Sequence, residues 1–195
     1  MVRGSLRWME EIIHLRLIID RMTFNLDKAI EILERTPLVV ETMLKGISDE
    51  WIHASEGGET WSPYDIVGHY IHGEKTDWLP RMEIILSDKS QKKFESFDRF
   101  AQLKDSKGKS LQQLLDGFKA LRKENVKKLR AKNLRAKDLL KKGIHPAFGE
   151  VTLAELLSTW VVHDLNHIAQ IARVMAKQYQ SETGPWKQYL KILQS

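Results

Sequence analysis

The chain has 195 residues, is 42% apolar and carries a formal net charge of +5, which predicts one soluble domain with a hydrophobic core. It contains no cysteine, so disulfides, thiolate metal sites and a cysteine nucleophile are excluded, and a reducing cytoplasm is a permitted location. Its apolar runs fall far short of the ~20 residues needed to cross a bilayer. We therefore expect a cytoplasmic protein without a membrane span.

Residues 1–21 stand apart from the rest of the sequence. The apolar run at 12–19 is interrupted by His14 and Arg16, and no small-residue cleavage site follows it, so it is not typical of a signal peptide. The sequence that follows begins like an ordinary amphipathic helix. We interpret residues 1–21 as an extension outside the fold, either poorly specified or added by a misassigned start, and residues 22–195 as the domain.

The first two of four predicted long helices can be placed from their patterns. The first covers about residues 26–46 and has apolar positions at helical spacing. The second begins at Ser62, which is a serine N-cap followed by Pro63 at the first helical position and an acid at the third. It is predicted to continue to about Leu86 and to bend at Pro80.

The third and fourth helices begin with the capping-box pattern, in which the third helical side chain reaches back to the amide of the N-cap residue. The pairs are Ser110 with Gln113 and Thr152 with Glu155. A turn and a short amphipathic helix are predicted for the tail at 183–193. Four amphipathic helices need partners for their apolar faces, and this predicts an all-α four-helix bundle with a short C-terminal helix.

The connections between the helices give no sign of a sheet. Residues 87–108 form a long polar link with little indication of a core, and residues 141–149 are expected to end the third helix. No segment shows sustained period-2 alternation bounded by turn signals, so no strand is predicted.

The pair His163 and His167 is the most informative feature, because the two residues stand four apart in the fourth predicted helix. Side chains at this spacing share a face, with Cβ atoms about 5–6 Å apart, and both imidazoles can reach one ion at Zn–N distances of about 2.0–2.1 Å. The alternative is a half-buried helix surface with a chance spacing. The pair flanks an apolar stripe, where burying a polar group without a partner costs ~1–3 kcal/mol. A metal would give the two imidazoles a partner. The stripe comprises Leu153, Leu157, Trp160, Val161, Ile168, Ile171 and Met175.

A third ligand is needed, because a pair alone holds a metal poorly. His69 lies on the second predicted helix and would leave one coordination position open for water or substrate. His72 stands three residues further on, near the same face, and is its rival. The other histidines lie in the extension or in connections and are not expected to be ligands: His14, His53 and His145.

Asp164 is a candidate for positioning a ligand. It falls on the apolar stripe of the fourth helix, so we hypothesise a buried carboxylate that accepts a proton from a ligand imidazole. The alternative is a structural salt bridge or cap, and Glu74 is a second, weaker candidate. Asp164 also occupies the place of the general-base glutamate in His-Glu-x-x-His metalloproteases. The shorter side chain and the upstream third ligand argue against that class.

The basic charge is concentrated in Lys119–Lys142, which holds eleven Lys and Arg against Glu124 and Asp138. Such a stripe can bind phosphate backbones. However, no aromatic residues interleave with the charges, no base-reading motif is present, and apolar residues supply a core-facing side. We interpret the segment as a solvated helix face and expect no nucleic-acid binding.

Three segments together resemble the DinB/YfiT-like superfamily of bacterial four-helix metalloproteins, in order and spacing over about residues 22–193. They are Trp61-Ser-Pro-Tyr-Asp-Ile-Val-Gly68-His69, Trp160-Val-Val-His163-Asp-Leu-Asn-His167-Ile-Ala-Gln170 and Gly184-Pro-Trp186. The resemblance implies a divalent metal, zinc or nickel, with water completing its shell. By position its ligands are His69, His163 and His167, and the Gly-His position favours His69 over His72.

The resemblance also implies activity classes, because the family includes metal-dependent hydrolases and thiol-cofactor transferases such as bacillithiol transferases, and its members are commonly dimers. An ion held by three neutral imidazoles lowers the pKa of bound water to about 7, which suits hydrolysis. We expect a homodimeric metal-dependent hydrolase of an unidentified small molecule. The alternatives are a thiol-dependent transferase and a non-catalytic metal-binding or DNA-damage-related protein.

Overall fold

The structure is a computed structural model and describes residues 24–194. In chain order the helices are α1 (Leu26–Leu44), α2 (Asp49–His53), α3 (Pro63–Thr76), α4 (Trp78–Leu86), α5 (Ala101–Asp105), α6 (Leu111–Ala131), α7 (Ala136–Leu139) and α8 (Leu153–Lys177). Strands β1 (Lys142–His145) and β2 (Gly149–Thr152) precede α8, and 3-10 turns at Gly184–Tyr189 and Lys191–Leu193 follow it. In this part of the chain no helix has both the length and the apolar character of a membrane span.

The long helices form the predicted four-helix bundle. Helix α1 packs against α6 and α8, and α3 packs against the same two helices, so that each long helix has two long neighbours. Their apolar stripes face inward, because buried positions recur at three- and four-residue spacing. On α6, for example, the buried apolar residues are Leu114, Leu115, Phe118, Val126 and Leu129. The predicted all-α bundle is confirmed.

The predicted helix starts are also confirmed. The side chains of Ser62, Ser110 and Thr152 each accept a hydrogen bond from the backbone N–H three residues later, and the side-chain oxygen of that later residue accepts a hydrogen bond from the N-cap backbone N–H. Each cap satisfies amides that would otherwise lack a partner, which contributes about 0.5–2 kcal/mol.

The second predicted helix is interrupted at Asp77, between α3 and α4, rather than at Pro80 itself. Proline has no N–H to donate to the carbonyl four residues earlier, and its ring crowds that carbonyl, which belongs to Thr76. The break therefore appears one turn before the proline. After the break, α4 packs against both α8 and β1.

An antiparallel hairpin of β1 and β2 corrects the prediction of no strand. Gly143 pairs with Val151, and the turn is closed by the pair His145 and Gly149. Each strand has only four residues. A period-2 pattern over so short a segment cannot be distinguished from the sequence of a loop.

The link between α4 and α6 likewise has more structure than its polar composition predicted. The amide of Phe94 donates to the Ile144 carbonyl at 2.9 Å, and the Ile144 amide donates to the Lys92 carbonyl at 2.8 Å, so the link pairs with β1. Phe94 is 5% exposed and Gln102 of α5 is fully buried. The expectation of a link without a core was wrong, because a single aromatic residue is enough to anchor it.

Candidate metal centre

Three histidines from two helices converge inside the bundle. Their candidate ligand nitrogens, on His69 of α3 and on His163 and His167 of α8, all lie within 4.8 Å of one another. His69 Nε2 is 2.9 Å from His163 Nε2. His69 and His167 are almost fully buried, with 5% and 7% of their surfaces exposed. The structure thus brings together the three residues that the sequence singled out.

The distances between these nitrogens suit a shared ion. Three ligands at about 2.0–2.1 Å from a tetrahedral metal stand roughly 3.4 Å from one another. The observed separations, from 2.9 Å to at most 4.8 Å, bracket that value. The donor set is three imidazoles, which suits zinc, nickel, copper and iron. The cluster can therefore hold a divalent metal with small adjustments of the rings.

The other histidines do not join this cluster. The ring of His72 packs 4.9 Å from Phe97 and lines a separate cavity with Thr76 and Arg81. The ring of His53 packs on Tyr64, and that of His145 stacks on Phe148. His14 lies outside the described residues.

Burial keeps the imidazoles of His69 and His167 in the neutral state that a metal ligand requires. It lowers the pKa of His69 from 6.5 to about 2, assisted by the nearby His163 and His167. Burial also lowers the pKa of His167 to about 4, again with help from His163. Both rings are therefore neutral at pH 7, and neutral imidazole is the form that coordinates a metal.

A hydrogen bond orients His167. Its Nδ1 lies 2.7 Å from Gln170 Oε1, and because an amide oxygen can only accept, the ring proton belongs on Nδ1. Nε2 is then left with a free lone pair for a metal. The Nδ1 atoms of His69 and His163 are buried without a hydrogen-bond partner in the described part of the chain.

Asp164 lies beside the cluster and is fully buried. Its Oδ1 is 3.9 Å from His163 Nδ1, which is beyond hydrogen-bond distance. Both carboxylate oxygens instead accept from the guanidinium of Arg122, at 2.5 and 3.0 Å. Burial has the largest effect and acts to raise the pKa of Asp164, but the charge of Arg122 and the hydrogen bonds to the carboxylate together outweigh burial and lower the pKa. The carboxylate is therefore ionised, and its predicted action on a ligand imidazole stays a prediction.

Arg122 is the centre of a buried polar network that joins all four long helices. From α6 it donates to the Leu33 carbonyl of α1 at 2.8 Å, to Glu74 of α3 at 2.7 Å and to Asp164 of α8. The amide of Asn125 donates to the other oxygen of Glu74 at 2.9 Å. Burial raises the pKa of Glu74 despite the attraction of Arg122. The partners of the Glu74 carboxylate are therefore Arg122 and Asn125, and none of the three clustered histidines is among them.

The sequence interpretation was wrong about Arg122, which was counted with the solvated basic face although it is only 1% exposed. Its guanidinium lies 5.0 Å from the ring centroid of Phe118 and 5.1 Å from that of Trp160. Helical spacing could have revealed this position, since residue 122 lies four residues after buried Phe118 and four before buried Val126. The many surrounding lysines obscured that signal.

Aromatic side chains form walls around the histidines. The ring of Trp61 lies 4.6 Å from His69 and 6.0 Å from His167, and Phe97 meets His69 edge-on at 5.6 Å. A cavity of about 520 Å³ opens beside His167. Its lining includes Trp61, Arg99, Asn166, His167, Gln170 and Arg173. A small molecule in this cavity would therefore contact at least one of the three clustered histidines.

Sequence comparison places the chain in a family. The sequence profile of the DinB superfamily matches residues 32–171. This stretch is well over half of the chain and contains all three clustered histidines. The chain belongs to the DinB superfamily. None of the curated protein sequences is significantly similar to this DinB protein.

A solved structure with a similar fold is that of YfiT from Bacillus subtilis. The TM-score is 0.67 at 21% sequence identity, and the match covers 78% of this DinB chain and 86% of YfiT. YfiT is described as "a probable metal-dependent hydrolase with an unusual four-helix bundle topology". At this level of identity the likeness shows a shared fold.

Proposed function

We propose that this protein is a metal-dependent hydrolase that uses a divalent ion, zinc or nickel, held by His69, His163 and His167. The observation that carries the proposal is the convergence of three imidazoles, with candidate ligand nitrogens within 4.8 Å of one another, beside an open cavity. Membership of the DinB superfamily and the description of YfiT agree with it. The cavity volume falls within the ~300–1,000 Å³ typical of small-molecule sites, so the proposed substrate is a small molecule.

The residues of the site would divide the work of hydrolysis. A divalent ion held by His69, His163 and His167 would supply Lewis acidity and would lower the pKa of water to about 7. Burial keeps His69 and His167 neutral, and Gln170 fixes the tautomer and orientation of His167. Trp61 and Phe97 pack on His69 and exclude bulk water from its side of the site.

Metal content tests the ligand set. Protein purified without an affinity tag should contain one divalent ion per chain by elemental analysis. His69→Ala and His163→Ala should each abolish stoichiometric metal, because two imidazoles hold an ion poorly. His72→Ala is the matched control, since it removes a buried imidazole from the same helix and should retain the metal. Loss of metal in His72→Ala with retention in His69→Ala would overturn the assignment.

Thiol dependence separates hydrolysis from the transferase alternative. With no cysteine, the chain could use a sulfur nucleophile only if a small thiol took the open coordination position. A hydrolase should turn over ester or amide substrates without added thiol, and glutathione or bacillithiol should inhibit it by competing with water. Strict thiol dependence with conjugate formation would contradict hydrolysis, and tight metal binding without turnover would favour a non-catalytic protein.

We also propose that Asp164 positions His163. The supporting geometry is the 3.9 Å separation between the Asp164 carboxylate and an Nδ1 that lacks another partner. Asp164→Asn should weaken metal affinity by about 10–100-fold, as is typical when a group behind a ligand is removed. Glu74→Gln is the control, because it removes a carboxylate from the same network without approaching a ligand. Equal losses in both variants would indicate a purely structural role.

A further inference from the structure

A groove between α1 and α6 lies apart from the histidine site. It has a volume of about 470 Å³, and none of its lining residues lines the cavity beside His167. Its apolar lining consists of Pro37 and Leu38 from α1 and Val126 from α6. Leu38 is 50% exposed. Pro37 and Val126 are buried beneath it, so Leu38 lies at the surface of a concave, mainly apolar lining of the kind that small-molecule sites have.

Basic side chains of α6 follow one rim of this groove. Four of them stand three or four residues apart, which places them along one face of the helix. They are Lys119, Lys123, Lys127 and Arg130. The rim belongs to the basic segment Lys119–Lys142, and the histidine site makes no use of its charge.

Ion pairs bridge the two helices at both ends of this rim. Lys119 Nζ lies 2.9 Å from Glu41 Oε2, and Arg130 Nη2 lies 3.0 Å from Glu34 Oε1. At 1.5 Å per residue, the two basic residues are about 16 Å apart along α6. A short ligand can lie between the bridges and leave both intact, whereas a partner helix laid along the groove would have to displace them.

Two lysines between the bridges have no counter-charge within residues 24–194. Lys123 and Lys127 make no ion pair with any residue between 24 and 194, in contrast to the two bridging residues. Arg122 also lines the groove, but Glu74 and Asp164 already match its charge. The groove therefore combines an aliphatic floor with two free ammonium groups above it.

We propose that this groove binds an amphipathic carboxylate of the medium-chain fatty acid class. The alkyl chain would lie on Pro37, Leu38 and Val126, where burial of apolar surface contributes about 25 cal/mol per Å². The carboxylate would accept charge-assisted hydrogen bonds from Lys123 and Lys127. The volume of the groove falls within the ~300–1,000 Å³ of small-molecule sites.

Calorimetric titration of the full chain with decanoate, below its micelle concentration, tests the proposal. One molecule should bind per chain. The double variant Lys123→Gln/Lys127→Gln should weaken binding by roughly tenfold, as expected for two partly exposed charge contacts. Leu38→Asp should abolish binding, because it places a carboxylate on the aliphatic floor. Decanol, which has the same chain without the charge, should bind more weakly than decanoate.

The matched control is Lys104→Gln/Lys137→Gln, which removes the same charge from exposed positions outside the groove and should bind decanoate as the wild type does. Equal binding of decanol and decanoate, or an unchanged affinity in the Lys123/Lys127 variant, would overturn the proposal. Binding of an acidic peptide or a short DNA duplex that depends on Lys123 and Lys127, without any binding of decanoate, would overturn it too. Because no candidate metal ligand lines the groove, failure to bind metal or to hydrolyse a substrate would not change the expected binding of decanoate.

Discussion

Burial of His69 and His167 links the candidate metal centre to the stability of the fold. In an unfolded chain these imidazoles titrate near pH 6.5, whereas in the folded protein their pKa values are about 2 and about 4. Between these values the unfolded chain binds protons that the folded protein does not. Stability is therefore fully present above pH 6.5 and falls as the pH decreases below it.

We predict that the metal-free protein loses unfolding free energy between about pH 6.5 and 4.5, by at most about 1.4 kcal/mol per pH unit for each of the two histidines. Carboxylates of ordinary or lowered pKa contribute little in this window, because they titrate near pH 4 in the unfolded chain. Glu74 and Asp77, whose pKa values are raised by burial, would oppose part of the loss. Urea unfolding in the presence of a chelator measures the loss.

The variant His69→Gln serves as the comparison, because it has one imidazole fewer and should show a shallower slope over the same interval. If the free energy of unfolding stays constant from neutral pH to about pH 4.5, the folded and unfolded states bind equal numbers of protons in this range. That result would contradict the burial of these rings in the neutral form.

Arg122 holds two buried carboxylates, and we predict that Arg122→Ala destabilises the protein by about 3–5 kcal/mol. The reason is that Glu74 and Asp164 would remain buried without their counter-charge. Lys128→Ala, on the exposed face of the same helix, should change the stability by no more than about 0.5 kcal/mol. Chemical denaturation of both variants measures the contrast. A small loss in Arg122→Ala would mean that protons or water replace the guanidinium at little cost.

At the scale of elements, a glycine in the hairpin and a glycine in the bundle differ in how much space they leave for a side chain. A Cβ on Gly143 of β1 would stand 2.5 Å from a ring carbon of Phe94, whereas one on Gly117 of α6 would meet only Ile71, at 3.8 Å. We predict that Gly143→Ala costs about 1–3 kcal/mol through overpacking. Gly117→Ala should stabilise the protein by about 0.5–1 kcal/mol, because alanine favours a helix.

Thermal melting of the two alanine variants gives this comparison directly, since each adds one methyl group to the same chain. Equal melting temperatures would show that the link carrying Phe94 moves aside without cost. That outcome would also restore the sequence-based view of residues 87–108 as a link without a core.

The sequence predicted the elements that depend on local signals and missed those that depend on distant contacts. Capping at Ser110 or Thr152 involves residues three apart, so the pattern is visible in the chain. The hairpin pairs residues only four to ten positions apart, but its four-residue strands leave no periodic trace. The bonds of Ile144 to Lys92 and Phe94 join positions about fifty apart and have no local signal at all.

In the candidate site, too, the residues with a local sequence signal were predicted and those that depend on a distant contact were not. The four-residue spacing of His163 and His167 and the Gly-His position of His69 identified the three converging histidines. The partner of Asp164 was not predicted, because the four-residue period through Arg122 was read as part of a basic surface. A charged residue inside an apolar period is evidence for a buried counter-charge, which must come from another helix.

For the whole molecule, we predict that residues 22–195 fold without residues 1–21, as the change in sequence character after residue 21 suggests. Residues 1–23 lie outside the described part of the structure. Deleting residues 1–21 should leave the melting temperature and the metal content nearly unchanged, since the bundle core and all three clustered histidines lie further along the chain. A large drop in either quantity would contradict this boundary.

The contacts of Arg122 with α1, α3 and α8 also determine how the molecule opens. No long helix can detach without stranding a charge or a carbonyl inside the others, so partial unfolding should be as costly as global unfolding. Amides at the centres of all four long helices should then exchange with deuterium at the same opening free energy in native-state experiments. A lower opening free energy for the amides of one long helix would show that Arg122 does not couple the four helices. In Arg122→Ala we expect the four helices to exchange with different opening free energies.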